Sequence, residues 1–154
     1  MAVIKHKEQR VGVFIDTQNL YHSAKNLYAY VVTTESGEEQ GFFEALEKLG
    51  IETKTKDLQV FYGGAKKADW DVGMAIDAIS MASKLDAVVL ATGDGDFVPL
   101  VEYLKYKEGS QVEVIAFGKS ASSRLRDIAD DFIDLCEDHE KYLIGGSRWK
   151  FPRT

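Results

Sequence analysis

Ala87-Val-Val-Leu-Ala91-Thr-Gly-Asp94-Gly-Asp96-Phe-Val-Pro-Leu100 is the stretch that decides the fold class. Its first five residues are apolar without a break, which is how a strand reads when both faces of its sheet are covered, as in a parallel sheet. A polar, glycine-containing turn follows, and Phe97, Leu100, Val101 and Leu104 then recur at helical spacing. A strand that runs through a short turn into a helix is the opening half of a βαβ unit.

The same alternation extends in both directions. Downstream, Val112 to Phe117 reads as a strand, Leu125, Ile128 and Ala129 as a helix, and Phe132 to Leu135 as a closing strand. Upstream, Val72, Ala75, Ile76, Ile79 and Ala82 form a helical stripe, preceded by a polar loop from Gly63 to Asp69 and a strand from Leu58 to Tyr62. Phe42, Phe43, Leu46 and Leu49 mark one face of an earlier helix closed by Gly50, and Tyr30 to Val32 an earlier strand before a loop from Ser36 to Gln40. Val11 to Ile15 is the first strand and feeds a helix carrying Leu20, Ala24 and Leu27. The expectation is a three-layer α/β domain over residues 11–135, with a mostly parallel central sheet of five to six strands and helices on both faces. Residues 1–10 read as an N-terminal extension and 136–154 as a C-terminal tail. The first crossover, Thr17 to Ala29, is close to the minimum of about a dozen residues that a parallel connection needs. Either its helix is short or residues are missing near Tyr28.

Composition narrows the function classes. The 154 residues are 45% hydrophobic and 29% charged, the proportions of a globular domain. With 19 Lys and Arg against 25 Asp and Glu, the net charge is −6, so a polyanion would be held only by a local basic patch or a metal. The single cysteine, Cys136, excludes an intrachain disulfide and a thiolate metal cluster, and no apolar leader precedes Val11. The cytoplasm is the expected compartment. No apolar run approaches the roughly 18 residues of a membrane helix.

In a parallel sheet, the loops leaving the C-terminal strand ends gather at one edge, where ligands bind. Asp16 ends the first strand, Asp94 and Asp96 follow the Ala87 to Ala91 strand through Thr92 and Gly93, and Asp69 and Asp71 stand at the start of a helix. All five are expected at that edge. Clustered carboxylates repel one another unless a cation sits among them, and an all-oxygen donor set favours Mg²⁺ or Mn²⁺ over zinc or copper. Such an ion lowers the pKa of bound water and offsets charge on a phosphodiester, which is the chemistry of a hydrolytic nuclease. A plainer role competes at each position: Asp96 as a helix cap, Asp71 as a favourable charge at a helix start. Asp16, closing an apolar strand three residues before Asn19, fits that plainer role less well. Asp77 should lie about 9 Å along its helix, below the edge, in a supporting or structural role.

Three blocks, Val13-Phe-Ile-Asp16-Thr-Gln-Asn19-Leu-Tyr21, Asp69-Trp-Asp71-Val-Gly-Met-Ala-Ile-Asp77-Ala78 and Thr92-Gly-Asp94-Gly-Asp96-Phe-Val-Pro-Leu100, together resemble the NYN domain family in its LabA-like branch. The stretch Ser123-Arg-Leu-Arg-Asp-Ile-Ala-Asp130-Asp-Phe-Ile133 resembles the closing helix and strand of that branch. The resemblance implies a PIN-like fold and a metal-dependent ribonuclease activity using Mg²⁺ or Mn²⁺. By position it implies Asp16, Asp71, Asp94 and Asp96 as the acidic, metal-holding site, Asn19 as their polar catalytic neighbour, and Asp77 as a further acid, with Thr92 behind the site. The chain departs from the pattern in its short first crossover and in Trp70, which precedes the helix aspartate.

Single-stranded RNA is the expected partner. Lys66 and Lys67 before the acidic helix, and Lys119, Ser120, Arg124 and Arg126 after the Val112 to Phe117 strand, are candidate phosphate contacts, with Ser122 and Ser123 at the same helix start. Solvated surface and a Ser122 helix cap compete with that role. Tyr21, Tyr62 and Trp70 are candidate stacking residues or, more simply, core. Gly118-Lys119-Ser120 is not a phosphate loop, because the earlier glycine that motif requires is replaced by Glu113. Asp94-Gly-Asp96 is not a calcium loop, because Val98 stands at the next ligand position. The competing function is a catalytically silent regulator that binds RNA, a nucleotide or a protein in the same pocket; a phosphatase on a related scaffold is a third reading. A second copy of the chain or a regulatory protein is a further expected partner.

Overall fold

The structure is a computed structural model and describes residues 8–28, 44, 47–52, 54, 59–60, 66–67 and 71–142. In chain order the elements are β1 (Val11–Ile15), α1 (Thr17–Tyr28), β2 (Gln59–Val60), β3 (Lys66–Lys67), α2 (Asp71–Ala82), β4 (Ala87–Ala91), a 3₁₀ turn (Gly95–Phe97), α3 (Val98–Tyr106), β5 (Gln111–Ala116), α4 (Ser123–Ile128), β6 (Asp131–Asp134) and α5 (His139–Tyr142).

Among the described residues the main sheet has four strands in the order β1-β4-β5-β6, and every pairing is parallel. The uninterrupted apolar run at β4 becomes an interior strand whose five residues are all buried. Parallel neighbours in register share a face, so Phe14, Leu90 and Val114 line up across the sheet, as do Gly12, Val88 and Val112. That face carries the core. Ala78 and Ala82 of α2, Val101 and Leu104 of α3 and Leu125 of α4 pack with Val88, Leu90, Val112 and Val114, each essentially without solvent contact. Burying a residue of this kind stabilises by about 1.5–3 kcal/mol. A Cβ on Gly12 would stand 2.5 Å from Leu85 Cδ1, so a side chain there would displace Leu85.

The α3 helix begins where Pro99 fits, in its first turn, where a missing N–H is no loss. At the opposite edge, the backbone N–H and guanidinium of Arg10 both reach Asp86, joining the start of β1 to that of β4.

The main sheet, its parallel order and the last three strand and helix pairs agree with the sequence reading. Two points differ. Of the strand expected over Leu58 to Tyr62 the described residues are Gln59–Val60, which form β2 and pair antiparallel with Lys66–Lys67 in a separate small sheet. The segment expected as a loop from Gly63 to Asp69 therefore contains β3. The first helix is a full twelve residues, not a shortened one. The strand expected at Tyr30 to Val32 and the helix residues Phe42, Phe43 and Leu46 lie outside the described residues; Glu47 and Lys48 are helical, and Gly50, at φ 76°, stands just beyond them. No helix among the described residues is long and apolar enough to cross a membrane.

Candidate active site at the carboxyl rim of the sheet

Parallel strands β1 and β4 end side by side, which brings Asp16 next to the turn that begins at Thr92. The Asp16 backbone N–H donates to the Ala91 carbonyl at 3.1 Å, so the pairing continues one residue beyond the strand. Asp16 is also the residue just before α1, and its Oδ1 accepts the Asn19 backbone N–H at 2.9 Å. That is a helix cap, satisfying one of the orphan donors of the first turn. The expectation that Asp16 fits a capping role poorly is thus corrected; one of its oxygens caps α1.

Its other oxygen is held from β4. Thr92, with no exposed surface, donates its hydroxyl to Asp16 Oδ2 at 3.1 Å and accepts the Asp94 backbone N–H at 3.2 Å. Asn19 completes a ring of contacts, its Oδ1 accepting the Gly93 N–H at 2.9 Å. Asp94 repeats the capping pattern: its Oδ1 accepts the Asp96 N–H at 2.9 Å and caps the 3₁₀ turn. Asp96 is therefore not the cap. It lies in the first turn, exposed to solvent. Asp71 opens α2 and is half-buried.

Glycines permit the tight turn to seat against a third loop. The Ser122 N–H donates to the Gly93 carbonyl at 2.9 Å. A Cβ on Gly93 would stand 3.1 Å from Ala121 Cα, and one on Gly95 would stand 2.9 Å from Ser122 Oγ. Ser122 occupies the N-cap position of α4 but makes no side-chain cap bond, contrary to the capping role considered for it. The bracing role of Ala121 and Ser122 was not visible in the sequence, since it depends on backbone contacts of small residues.

The expected phosphate contacts are dispersed. Arg126 pairs with Asp134 at 3.0 Å and lies over the Phe132 ring at 4.4 Å, so it is committed to the end of β6. Asp134 also accepts the Gly118 N–H at 2.8 Å and the Cys136 N–H at 2.9 Å. Burial pushes its carboxyl up, but the Cys136 and Gly118 amides and the Arg126 guanidinium outweigh that and hold it below the usual carboxylate value. Arg124 lines an open groove of about 350 Å³ between α3 and α4 with Glu102, Tyr106 and Asp127. Lys119 is exposed, and Ser120 Oγ turns back to the Phe117 carbonyl at 3.2 Å. Lys67 lies in β3. Asp77 pairs with Lys54 at 2.6 Å, a structural contact. Asp69, Trp70 and Tyr62 lie outside the described residues.

No three Asp, Glu, His or Cys side chains among the described residues gather closely enough to cage a metal ion. The cradle of four aspartates expected from the sequence is not assembled by these side chains. The Asp16 carboxylate and the Asp94 backbone N–H nonetheless share the Thr92 hydroxyl, and Asp94 Oδ2 accepts no hydrogen bond among the described residues. Magnesium is commonly held by one or two carboxylates with water and substrate phosphate completing its shell, so this hard-oxygen pair fits that class and not zinc.

Comparison with known proteins agrees with the geometry. The family model of the NYN domain matches residues 10–136. The low amplitude and bright protein LabA of Synechococcus elongatus is 25% identical over 159 residues, covering 84% of this chain and 85% of that protein. A crystal structure of a protein of unknown function from Vibrio parahaemolyticus superposes with a TM-score of 0.75 at 26% identity, covering 86% of this chain and 96% of that one. Matched over nearly all of its sheet and over the rim that carries Asp16, Asn19 and Asp94, the chain belongs to the NYN domain family and is LabA-like.

Proposed function

We propose that this protein is a metal-dependent ribonuclease that hydrolyses phosphodiester bonds of single-stranded RNA at the rim formed by Asp16, Asn19, Thr92 and Asp94. The observation that carries the reading is the closed ring of hydrogen bonds joining the β1 and β4 strand ends, which holds the Asp16 carboxylate, the Asn19 amide and the backbone of Asp94, from distant parts of the chain, in one place. NYN domains are generally ribonucleases, which favours that use of the rim.

In this reading Asp16 and Asp94 would hold a Mg²⁺ or Mn²⁺ ion, with water and substrate phosphate completing its shell. When bound, the ion supplies an activated water and offsets charge on the phosphate. Thr92 keeps Asp16 an acceptor, because its hydroxyl proton points to Oδ2 while its own lone pair takes the Asp94 N–H. The Asp16 carboxylate is thus oriented by contacts on both oxygens, and preorganised oxygen donors avoid reorganisation during reaction. Lys119 and Arg124 are the nearest candidates in sequence to steer the RNA backbone, since Arg126 is already paired.

A catalytically silent RNA-binding regulator is the second reading, and it is favoured by the fact that no three metal-ligating side chains gather among the described residues. One experiment separates the two. A 5′-labelled single-stranded RNA is incubated with wild-type protein, Asp16→Asn and Asp94→Asn, in Mn²⁺ and in EDTA. Cleavage by wild type in Mn²⁺ alone, lost in both variants with the fold retained by circular dichroism, supports the nuclease. Binding without cleavage in every sample supports the regulator, and equal cleavage in all three proteins removes the aspartates from the mechanism.

A further inference from the structure

The amide of Asn19 is oriented by chemistry. Its partner is the backbone N–H of Gly93, at 2.9 Å, and an N–H can only donate, so the atom facing it must be Oδ1. The Nδ2 end, with two donors, then lies in the same amide plane, directed away from the Gly93 N–H. Asn19 is half-buried, and Nδ2 makes no hydrogen bond among the described residues.

Gly93 itself cannot drift. Its carbonyl accepts from Ser122 N–H, and its Cα is pressed so close to Ala121 that a Cβ would stand 3.1 Å from the Ala121 Cα. The backbone of the Asn19 turn is fixed as well, by the bond from its own N–H to Asp16 Oδ1. Backbone and side chain of Asn19 are therefore anchored by two different strand ends. What is left over is a rigid pair of N–H donors within three residues of Asp16.

A rim whose other groups are carboxylate oxygens has no use for such a donor toward a cation. A metal ligand would have to be Oδ1, whose second lone pair stays open beside the Gly93 N–H, so metal binding by variants at this position separates that role from a donor role. We infer that Asn19 binds substrate directly, its Nδ2 donating to a non-bridging oxygen of the RNA phosphodiester at the Asp16–Asp94 rim. This deepens the ribonuclease reading and rests on it for the identity of the substrate. A fixed neutral donor aimed at a phosphoryl oxygen gains strength as negative charge develops there, and it needs no reorganisation to do so.

Two variants test the inference. Asn19→Asp keeps the size of the side chain and an acceptor for the Gly93 N–H, but replaces the donors with an anionic oxygen. Asn19→Ala removes both ends. The readouts are the rate of Mn²⁺-dependent cleavage of a labelled single-stranded RNA, the affinity for the same RNA by fluorescence anisotropy in EDTA, and Mn²⁺ binding by electron paramagnetic resonance. Expected for Asn19→Asp is a melting temperature close to wild type, Mn²⁺ binding retained, cleavage reduced about 10²–10³-fold, and RNA affinity reduced about tenfold. Cleavage by Asn19→Asp within twofold of wild type overturns the inference while leaving the ribonuclease reading intact. If wild type does not cleave, that reading fails, and the anisotropy decides the inference alone: weaker RNA binding by both variants supports a phosphate contact, and equal or absent binding in all three proteins refutes it. Loss of Mn²⁺ binding by Asn19→Ala would make Asn19 a metal ligand and would likewise overturn the assignment.

Discussion

Replacing Thr92 by valine tests the ring of contacts without reference to activity. Valine has nearly the same shape, so no cavity opens, and what changes is the hydroxyl alone. That hydroxyl is fully buried, donates to Asp16 Oδ2 and accepts from the Asp94 N–H. In Thr92→Val the Asp94 N–H loses its acceptor, which costs about 1–3 kcal/mol where water cannot replace it, and a bond to a charged acceptor, worth about 1.5–3 kcal/mol, disappears. Asp16 is only half-buried, and water takes over part of the second loss. The expected destabilisation is about 2–3 kcal/mol, which for a chain of this size lowers the melting temperature by about 4–12 °C. Thr92→Ser keeps the hydroxyl and loses one methyl, so it should fall by only about 1 kcal/mol. The assay is urea unfolding followed by circular dichroism, with the slope checked for constancy. A Thr92→Val midpoint equal to that of wild type, or a Thr92→Ser midpoint as low as that of Thr92→Val, would refute the bridging role.

Three further outcomes concern the β5 and β6 side of the sheet. Because Asp134 is held below its ordinary pKa of 3.8, its contribution is complete above that pH and is lost as pH falls through the lower folded value. Asp134→Asn should therefore destabilise at pH 7 and flatten the dependence of the urea midpoint on pH below about 4; an unchanged acid limb would contradict this. Gly118→Ala places a methyl against the Asp134 carboxylate and the Arg126 guanidinium, so the ion pair must part, with a loss of about 1–3 kcal/mol visible in the same unfolding assay. Lys105→Met removes a cation, itself 17% exposed, that donates to the Ile128 carbonyl and pairs with the 14% exposed Asp130 at 2.9 Å, and should lower stability by about 2 kcal/mol. A midpoint shift under half of that would mean solvent compensates Asp130.

Strand and helix placement was legible where burial is complete and periodic. β4 reads as interior from its five apolar residues because no other environment suits such a run, and α3 and α4 follow from apolar spacing that the core later uses at Leu100, Val101, Leu104 and Leu125. β3 was not legible, since Lys66 and Lys67 carry no strand signature. The rim was legible as a set of residues but not as bonds. Whether Asp94 or Asp96 caps the turn depends on backbone dihedrals, with Asp94 in extended geometry and Asp96 inside the turn. Arg126 looked like a phosphate contact because its sequence neighbours are basic. Its partners, Asp134 and Phe132, lie on the following strand, a tertiary relation that spacing along one helix does not encode.

The two aspartates at the rim are alike in chemistry and unlike in what their neutralisation should do to the fold. Asparagine caps a helix about as well as aspartate, so the first-turn bond to the Asn19 N–H survives in Asp16→Asn if the amide oxygen takes the place of Oδ1. The amide nitrogen then faces Thr92, whose hydroxyl loses its acceptor; turning the amide over restores that acceptor and forfeits the cap. Either way one hydrogen bond is lost, about 1–2 kcal/mol. In Asp94→Asn the oxygen that caps Asp96 N–H is kept and the nitrogen replaces Oδ2, which accepts nothing among the described residues, so stability should move by less than about 0.5 kcal/mol. Asp16→Asn should also be non-additive with Thr92→Val, because both remove the same Oγ–Oδ2 bond, whereas Asp94→Asn with Lys105→Met should add. A double-mutant cycle by urea unfolding measures this. Additivity within about 0.3 kcal/mol for the Asp16 and Thr92 pair would show that the two side chains do not share a bond, and the ring that positions the site would be open.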